Sequence, residues 1–496
     1  MIAMRHTLPD PLLSCLSEFL ATQIGLHFPR ERWGDLERGM ASATREFGVP
    51  ETEECIRWLL SAPLTHRQIE ILASHLTIGE TYFFRDQKCF EALEQHVLPA
   101  LIRSRRDSDR RLRIWSAACC TGEEPYSIAM LLDRLLPDHE QWHVTLLATD
   151  INPQFLRKAE EGVYGEWSFR DTPAWIKERY FKRGRQGRFE IHPRIKKKVT
   201  FSYLNLVDDV YPSLSNNTNA MDVIFCRNVL MYFTTELAEK VAGNLHRAVA
   251  DGGWLAVSPT EASNTLFPRF SPVNFPGAML YRKDAMDGAQ FKGINYLTPA
   301  FATAPEILTS TAPVITAMPG ERFPFLPLPE TPRQDAVQPQ ADEKIVELLG
   351  ALPREQDEPG ALRAMACLRA NQGKLAEAVE WCGKAIALDK LNPQSHYLLA
   401  TIWQELAQPD AAEQSLKRVL YLAPNFTLAH FAMGNLRLSQ GRRREAERYF
   451  ANALALLQAH PQDGILPESE GLTTGRLAEI ITSVMASLPR TAEVRA

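Results

Sequence analysis

The segment WSAACCTGEEPYSIAMLL (115–132) sets a run of small residues and Gly122 between an apolar stretch and an amphipathic one. That is the order of a strand, a tight loop and a helix. Small side chains let a backbone approach a ligand closely at the carboxyl edge of a parallel sheet. A loop built for a dinucleotide pyrophosphate would read G-x-G-x-x-G, and this one does not. Two carboxylates, Glu123 and Glu124, follow the glycine instead. They would repel a pyrophosphate and suit a cationic ligand such as S-adenosylmethionine, which carries a sulfonium and an ammonium and no phosphate. The same acids are also what a helix N-terminus favours, so the loop alone leaves both readings open. A second apolar stretch, VTLLATD (144–150), ends in Asp150. An acid there either accepts hydrogen bonds from ribose hydroxyls or caps the helix that starts at Asn152 and Pro153.

These residues need a frame. LRIWSAA (112–118), VTLLATD (144–150) and MDVIFCRN (221–228) read as strands, with GGWLAVSP and MLYRK as further ones. Helical segments EPYSIAMLLDRLL, NPQFLRKAEEG and TELAEKVAGNLHRAV alternate with them. The alternation predicts a largely parallel sheet covered by helices on both faces. Residues 179–204 interrupt it with two or three short strands that carry Lys182, Arg183, Arg185, Arg188, Arg194, Lys196, Lys197 and Lys198 against Glu190. Residues 10 to about 80 show helical spacing, with breaks at Gly48, Pro50 and Pro63.

The chain has 496 residues, more than one ordinary core accommodates. Its net charge of −5 gives no global pull toward nucleic acid. The eight cysteines form no C-x-x-C pair, which argues against a zinc site or a disulfide framework and for reduced thiols. No apolar run approaches the ~18 residues that span a bilayer, and MIAMRHTLPDPLL lacks a signal-peptide core. Residues 284–340 are rich in Pro, Ala and Thr and are expected to form a disordered linker. Beyond it, four columns recur every 34 residues: Ala366, Ala400 and Gly434; Ala378, Ala412 and Ala446; Leu388, Leu422 and Leu456; Gly373, Ala407 and Gly441. This is the tetratricopeptide period. Pro424 stands where that pattern closes a repeat, and Lys390 and Gln458 stand at the equivalent positions. The long linker predicts repeats tethered to the rest of the chain, not packed on it.

Together with LTIGETYFFRD (76–86) and IFCRNVLMYF (224–233), the WSAACCTGEEPYSIAM segment closely resembles the CheR-type chemoreceptor glutamate methyltransferases across roughly residues 10–283. The resemblance implies an N-terminal helical domain (10–85) and an α/β Rossmann-like methyltransferase domain (86–283) with an inserted β-subdomain (179–204). The linker, all-α TPR-like repeats (341–460) and a C-terminal tail or helix (461–496) complete the expected organisation. The implied activity is methyl transfer from S-adenosylmethionine to glutamate side chains of methyl-accepting chemotaxis proteins, with no metal.

By the same resemblance, Thr81 and Arg85 would line the methyl-donor pocket. Gly79 would border it where family members often carry Asn. Glu123 matches the donor-contacting acid, Asp150 the ribose-binding acid, and Asn205 and Leu206 the segment beside the adenine. Arg227 and Asn228 match the loop beside the reacting methyl. Arg85 and Tyr232 match the catalytic pair, while Phe83, Phe84 and Phe233 are read as core. The implied partners are chemoreceptor cytoplasmic helices, contacted in part by the basic β-subdomain, and an unidentified protein or peptide on the repeats. No nucleic acid and no membrane insertion are expected, and the implied location is the cytoplasm, at membrane-bound receptor arrays. The alternatives are a non-catalytic scaffold built around the repeats, and a methyltransferase acting on RNA or a small molecule.

Overall fold

The computed structural model describes residues 7–284, 358–462, 464–469 and 472–487. Nearly all of the expected linker and the first part of the expected repeat region lie outside these residues.

Four helices, Asp10–Ile24, Trp33–Phe47, Thr52–Leu59 and His66–Leu76, make the N-terminal domain. The last is started by a capping box in which Thr65 and Gln68 satisfy each other's backbone N–H groups. Leu13, Leu16, Leu20, Leu36, Met40, Ile56 and Leu72 form its buried core.

The strands, in chain order, are β1 (Arg111–Ala117), β2 (His143–Asp150), β3 (Val163–Tyr164), β4 (Phe181–Arg183), β5 (Phe189–Ile191), β6 (Thr200–Tyr203), β7 (Met221–Cys226), β8 (Val249–Ala256), β9 (Ser271–Phe275) and β10 (Ala278–Arg282). Seven of them form one sheet in the order β6-β2-β1-β7-β8-β10-β9. The first five of that order run parallel, and β9 and β10 close the edge as an antiparallel pair. Every residue of β7, and every residue of β1 after Arg111, is buried. That double burial is why these strands read as unbroken apolar runs and do not alternate. Register then brings the strand ends to one edge: Ala117 lies opposite both Thr149 and Cys226, and Asp150 opposite Tyr203.

The insertion differs from its expected bounds. Strands β3, β5 and β4 form a separate three-stranded antiparallel sheet. Thr200–Tyr203 belongs to the main sheet as its edge strand, so the subdomain begins earlier and ends sooner than 179–204. Lys182, Arg183, Arg185 and Arg188 are exposed, whereas Arg194 and Lys198 pair with the buried Asp133.

The repeats are helix pairs: Glu358–Asn371 with Leu375–Leu388, Pro393–Glu405 with Pro409–Leu422, and Thr427–Ser439 with Arg443–Leu457. A further helix, Thr474–Ser487, packs its Leu477 and Ile481 into the core of the last pair. The alanine columns are buried, and a Cβ on Gly434 would stand 2.5 Å from the Phe450 ring. The leucine column is peripheral: Leu388 is exposed and its two counterparts only half-buried. No helix among the described residues is long and apolar enough to cross a membrane.

The repeats are seated on the domain of the seven-stranded sheet, contrary to the tether expected from the linker. Glu405 accepts hydrogen bonds from Arg111 (2.7 Å) and from Arg113 (2.9 Å). Arg113 is 2% exposed and also donates to the carbonyls of Asn217 and Asn219. Leu214 joins the core of the first repeat beside Ala366, Ala370 and Ile402, and Asn371 donates to the Pro212 carbonyl. The physical reason is in β1 itself. An arginine within a buried strand needs a carboxylate, and the repeats bring it. Replacing Glu405 with Ala should therefore cost about 1–3 kcal/mol, the worth of hydrogen bonds to charged groups, in urea-induced unfolding. Ligand binding at the opposite, carboxyl edge of the sheet should not change. An unaltered unfolding curve would mean that this interface does not form in solution.

Candidate active site

The loops at the carboxyl edge of the sheet are drawn together by Asp150. One of its oxygens accepts from the Cys120 N–H (2.8 Å) and the other from the Asn152 N–H (2.8 Å). Ala118 and Cys120 both hold positive φ (59° and 51°), a backbone path that few non-glycine residues adopt. Asn152 in turn reaches the N-terminal domain, donating to Thr77 Oγ1 (2.8 Å) and the Ala73 carbonyl (3.2 Å). Burial pushes the Asp150 carboxyl up to about 6, against the pull of the Asn152 and Cys120 N–H groups.

Two pockets open at this edge. The larger is mostly apolar and is lined by Ile24, His27, Phe28, Leu76, Phe155 and Leu206, with Asp150 and Asn205 as polar groups and Tyr232 on its wall. The smaller is polar, with Thr81, Arg85, Glu124 and Arg227 around it. Ala118, Cys120 and Asn228 line both. An apolar cavity with one carboxylate suits a nucleoside. A neighbour bearing charges of both signs suits a zwitterionic amino-acid end. The pair fits S-adenosylmethionine, which has both.

Most of the residues expected at the site meet here: Thr81, Arg85, Asp150, Asn205, Leu206, Arg227, Asn228 and Tyr232 all line one pocket or the other. Arg85 and Tyr232 lie on different pockets, with Asn228 common to both. Arg85 donates to the Glu80 carbonyl (2.6 Å), and the Arg32 guanidinium lies 5.5 Å from the centre of the Tyr232 ring. Arg227 donates to the Arg85 carbonyl, Glu124 and Asp86. Burial opposes its charge, but Glu124 and Asp86 more than offset that and hold the guanidinium above its ordinary range.

Glu123 is turned away. Its buried carboxylate accepts from Thr121 (2.6 Å) and from Ser168 (2.9 Å) beside the small sheet, and Glu124 stands on the pocket wall in its place. Gly79 borders the site without lining it. A Cβ there would lie 2.6 Å from the Phe155 ring, so Phe155 fills the space that a side chain at 79 would take. Phe83 and Phe84 are core as expected, but half-buried Phe233 also lines the larger pocket.

The residues missed in the sequence come from the connection between the first two N-terminal helices, which carries His27, Phe28 and Arg32, and from the helix after β2, which carries Phe155. No local motif marks them, because they reach the site through domain packing. His27 donates its N–H to the Tyr232 carbonyl (2.8 Å), and Asn205 donates to the Gln23 carbonyl (3.0 Å).

A Rossmann-like sheet with an acid at the end of its second strand and paired nucleoside and amino-acid pockets defines an S-adenosylmethionine-dependent methyltransferase. Residues 79–276 match the model for the CheR methyltransferase, SAM binding domain, and residues 393–426 and 429–463 match tetratricopeptide repeats. Chemotaxis protein methyltransferase 1 of Pseudomonas aeruginosa is 36% identical over 217 residues, 43% of this chain and 77% of that protein. The chemotaxis protein methyltransferase of Borreliella burgdorferi is 30% identical over 50% of this chain and 87% of its own. The chain belongs to the CheR family of chemotaxis protein methyltransferases. A similar protein that also spans the repeats, the probable biofilm formation methyltransferase WspC of Pseudomonas aeruginosa, is 28% identical over 83% of this chain and 92% of its own.

Two outcomes follow from this geometry. An ionised Asp150 accepts hydroxyl donors more strongly than a protonated one, so donor affinity should rise as pH increases through about 6. Asp208, bonded to Asn205, is also pushed up to about 6 by burial, so Asp150→Asn should flatten most of this dependence in a calorimetric titration, but not all. Equal pH slopes in parent and variant would sink the assignment. Gly79→Ala should drive the Phe155 ring into the larger pocket and weaken donor binding about tenfold, a shift of ~1.4 kcal/mol. Adding Phe155→Ala should then cost less than the sum of the two single changes, since the positions share one space. Strict additivity would contradict the clash.

Proposed function

We propose that this enzyme esterifies glutamate side chains on the cytoplasmic helices of chemoreceptors, with Arg85 and Tyr232 as the residues that hold the acceptor carboxylate. The observation that carries this reading is the junction of the two pockets. The donor's sulfonium falls between its nucleoside and amino-acid ends, so its methyl would lie near Asn228, which with Ala118 and Cys120 lines both. Tyr232 lines one of the pockets that share Asn228 and Arg85 lines the other. Asp150 would accept from the ribose hydroxyls, Asn205 and Leu206 would border the adenine, and Thr81, Glu124 and Arg227 would enclose the amino-acid end.

The chemistry asks little of a base. A glutamate carboxylate has an unperturbed pKa of about 4.3 and is ionised at neutral pH. Its oxygen attacks the methyl carbon in line. The new C–O bond forms as the C–S bond breaks, and the electron pair of that bond leaves on sulfur as neutral S-adenosylhomocysteine. No proton moves. Charge is consumed in the step, so a desolvated site favours it over solvated ions. Alignment of this kind contributes on the order of 7–11 kcal/mol in favourable cases.

The relatives named as chemotaxis methyltransferases support the acceptor class. The exposed Lys182, Arg183, Arg185 and Arg188 of the small sheet give a basic face suited to glutamate-rich helices. The repeats, matched along with the catalytic domain in a similar protein, are read as a docking surface for a protein or peptide, placing the enzyme at receptor arrays in the cytoplasm. Incubation with methyl-labelled donor and a receptor cytoplasmic fragment should yield label released by mild base, as an ester is. Arg85→Ala and Tyr232→Phe should keep the fold and lower transfer at least about tenfold, consistent with lost alignment. Base-stable label would reject a carboxylate acceptor, and parent rates in both variants would reject the pair.

A further inference from the structure

The segment after β7 makes the junction between the two pockets, and its own backbone bonds, from the Tyr232 N–H to the Val229 carbonyl (3.1 Å) and from the Phe233 N–H to the Leu230 carbonyl (3.0 Å), engage none of the N–H groups of 228–231. Asn228 takes positive φ (59°) without being glycine, and Leu230–Tyr232 is a single turn of 3-10 helix. Asn228, Val229 and Tyr232 all line the larger pocket. Most of the N–H groups of this stretch converge on one carboxylate from elsewhere in the chain, that of Glu261, in the turn that follows β8. One Glu261 oxygen accepts from the Asn228 N–H at 2.6 Å and from Ser258 through both its N–H (3.3 Å) and its hydroxyl (2.5 Å). The other accepts from the Val229 N–H at 2.7 Å and the Met231 N–H at 3.4 Å. Glu261 is buried and lines neither pocket.

We propose that Glu261 is a positioning residue for methyl transfer: it fixes the backbone of 228–231 so that Asn228 and Tyr232 face the donor. The proposal rests on the methyltransferase reading and extends it to a residue that touches neither substrate. The loop is held at its flanks by other groups. Arg227 is bound to Glu124 and Asp86 on one side, and the Tyr232 carbonyl accepts from His27 on the other. Glu261 supplies what the middle lacks, an acceptor with two oxygens for the N–H groups of Asn228, Val229 and Met231. A carboxylate is the side chain suited to this task. A glutamine offers one oxygen and turns an N–H₂ toward groups that are themselves donors.

The test is Glu261→Gln in the full-length enzyme, with labelled S-adenosylmethionine and a receptor cytoplasmic fragment, well below the melting midpoint. The expected result is a kcat lowered on the order of ten- to a hundredfold, the scale of an ångström-sized misplacement, with KM for the fragment within about twofold. Calorimetry should show weaker binding of S-adenosylmethionine, since Asn228 and Val229 line its pocket. A residue that only stabilises the fold would lower the melting midpoint and leave kcat per folded enzyme unchanged, and that result would overturn the proposal. Ser258→Ala removes a donor to the carboxylate while keeping the loop's own bonds, and should lower kcat about threefold, the scale of one net hydrogen bond. If Glu261→Gln does not fold, a parent kcat in Ser258→Ala overturns the proposal instead. If the parent transfers no methyl to the fragment, the acceptor assignment fails, and the calorimetric arm still decides: donor affinity equal to that of the parent overturns the role of Glu261.

Discussion

The site depends on one buried carboxylate that is shared by three parts of the chain. Asp150 ends β2, and its two oxygens tie the small-residue loop after β1 to the start of the next helix. Asn152, two residues on, fastens the N-terminal helices to the same point. Taking a carboxylate out of water costs several kcal/mol unless its lone pairs are used. Here backbone N–H groups use them. The pocket's shape is thus set by main-chain bonds, which vary little with the side chains that line it.

Much of this arrangement was legible in the sequence, and for a stated reason. β1 after Arg111, β7 and the last five residues of β2 are buried on both faces, so each appears as an apolar run leading to the residues that end it. The punctuation falls at the carboxyl edge, where a parallel sheet keeps its ligands. Position alone therefore marked Asp150 as a residue of this edge, while Arg227 and Asn228 were assigned by the family resemblance of the CRN motif. The choice between Glu123 and Glu124 could not. Adjacent residues at a helix start point about 100° apart, and only the small sheet, with Ser168, decides which of them turns inward. Phe155 and the N-terminal residues Phe28 and Arg32 were invisible because they arrive by tertiary packing. Gly79 gave a hint: a glycine in an otherwise side-chain-rich motif signals that something else occupies the space.

The repeats show the opposite failure. Their period was plain, because the buried alanines and the positive-φ turn at Gly373, Ala407 and Gly441 must recur for paired helices to stack. Their placement was misjudged, because linker composition speaks only about the linker. The informative residues were Arg111 and Arg113, two cations in a strand with no acid beside them in sequence. Glu405 is nearly three hundred residues away (|i−j| = 292 from Arg113). Its role is apparent only once a charge inside a strand is treated as a demand for a distant partner.

The seating of the repeats on Arg111 and Arg113 has a geometric consequence. These arginines occupy the amino-terminal end of β1, and the donor pockets lie past its carboxyl end at Ala118. A strand of seven residues spans roughly 23 Å at about 3.3 Å per residue. On the docking role proposed for the repeats, a partner gripped there would be held at one bearing and one offset from the transferable methyl, where a swinging arm would let it sweep a volume. On a long helical acceptor such an arrangement would act as a ruler, selecting side chains by their distance from the gripped point as well as by the sequence around them.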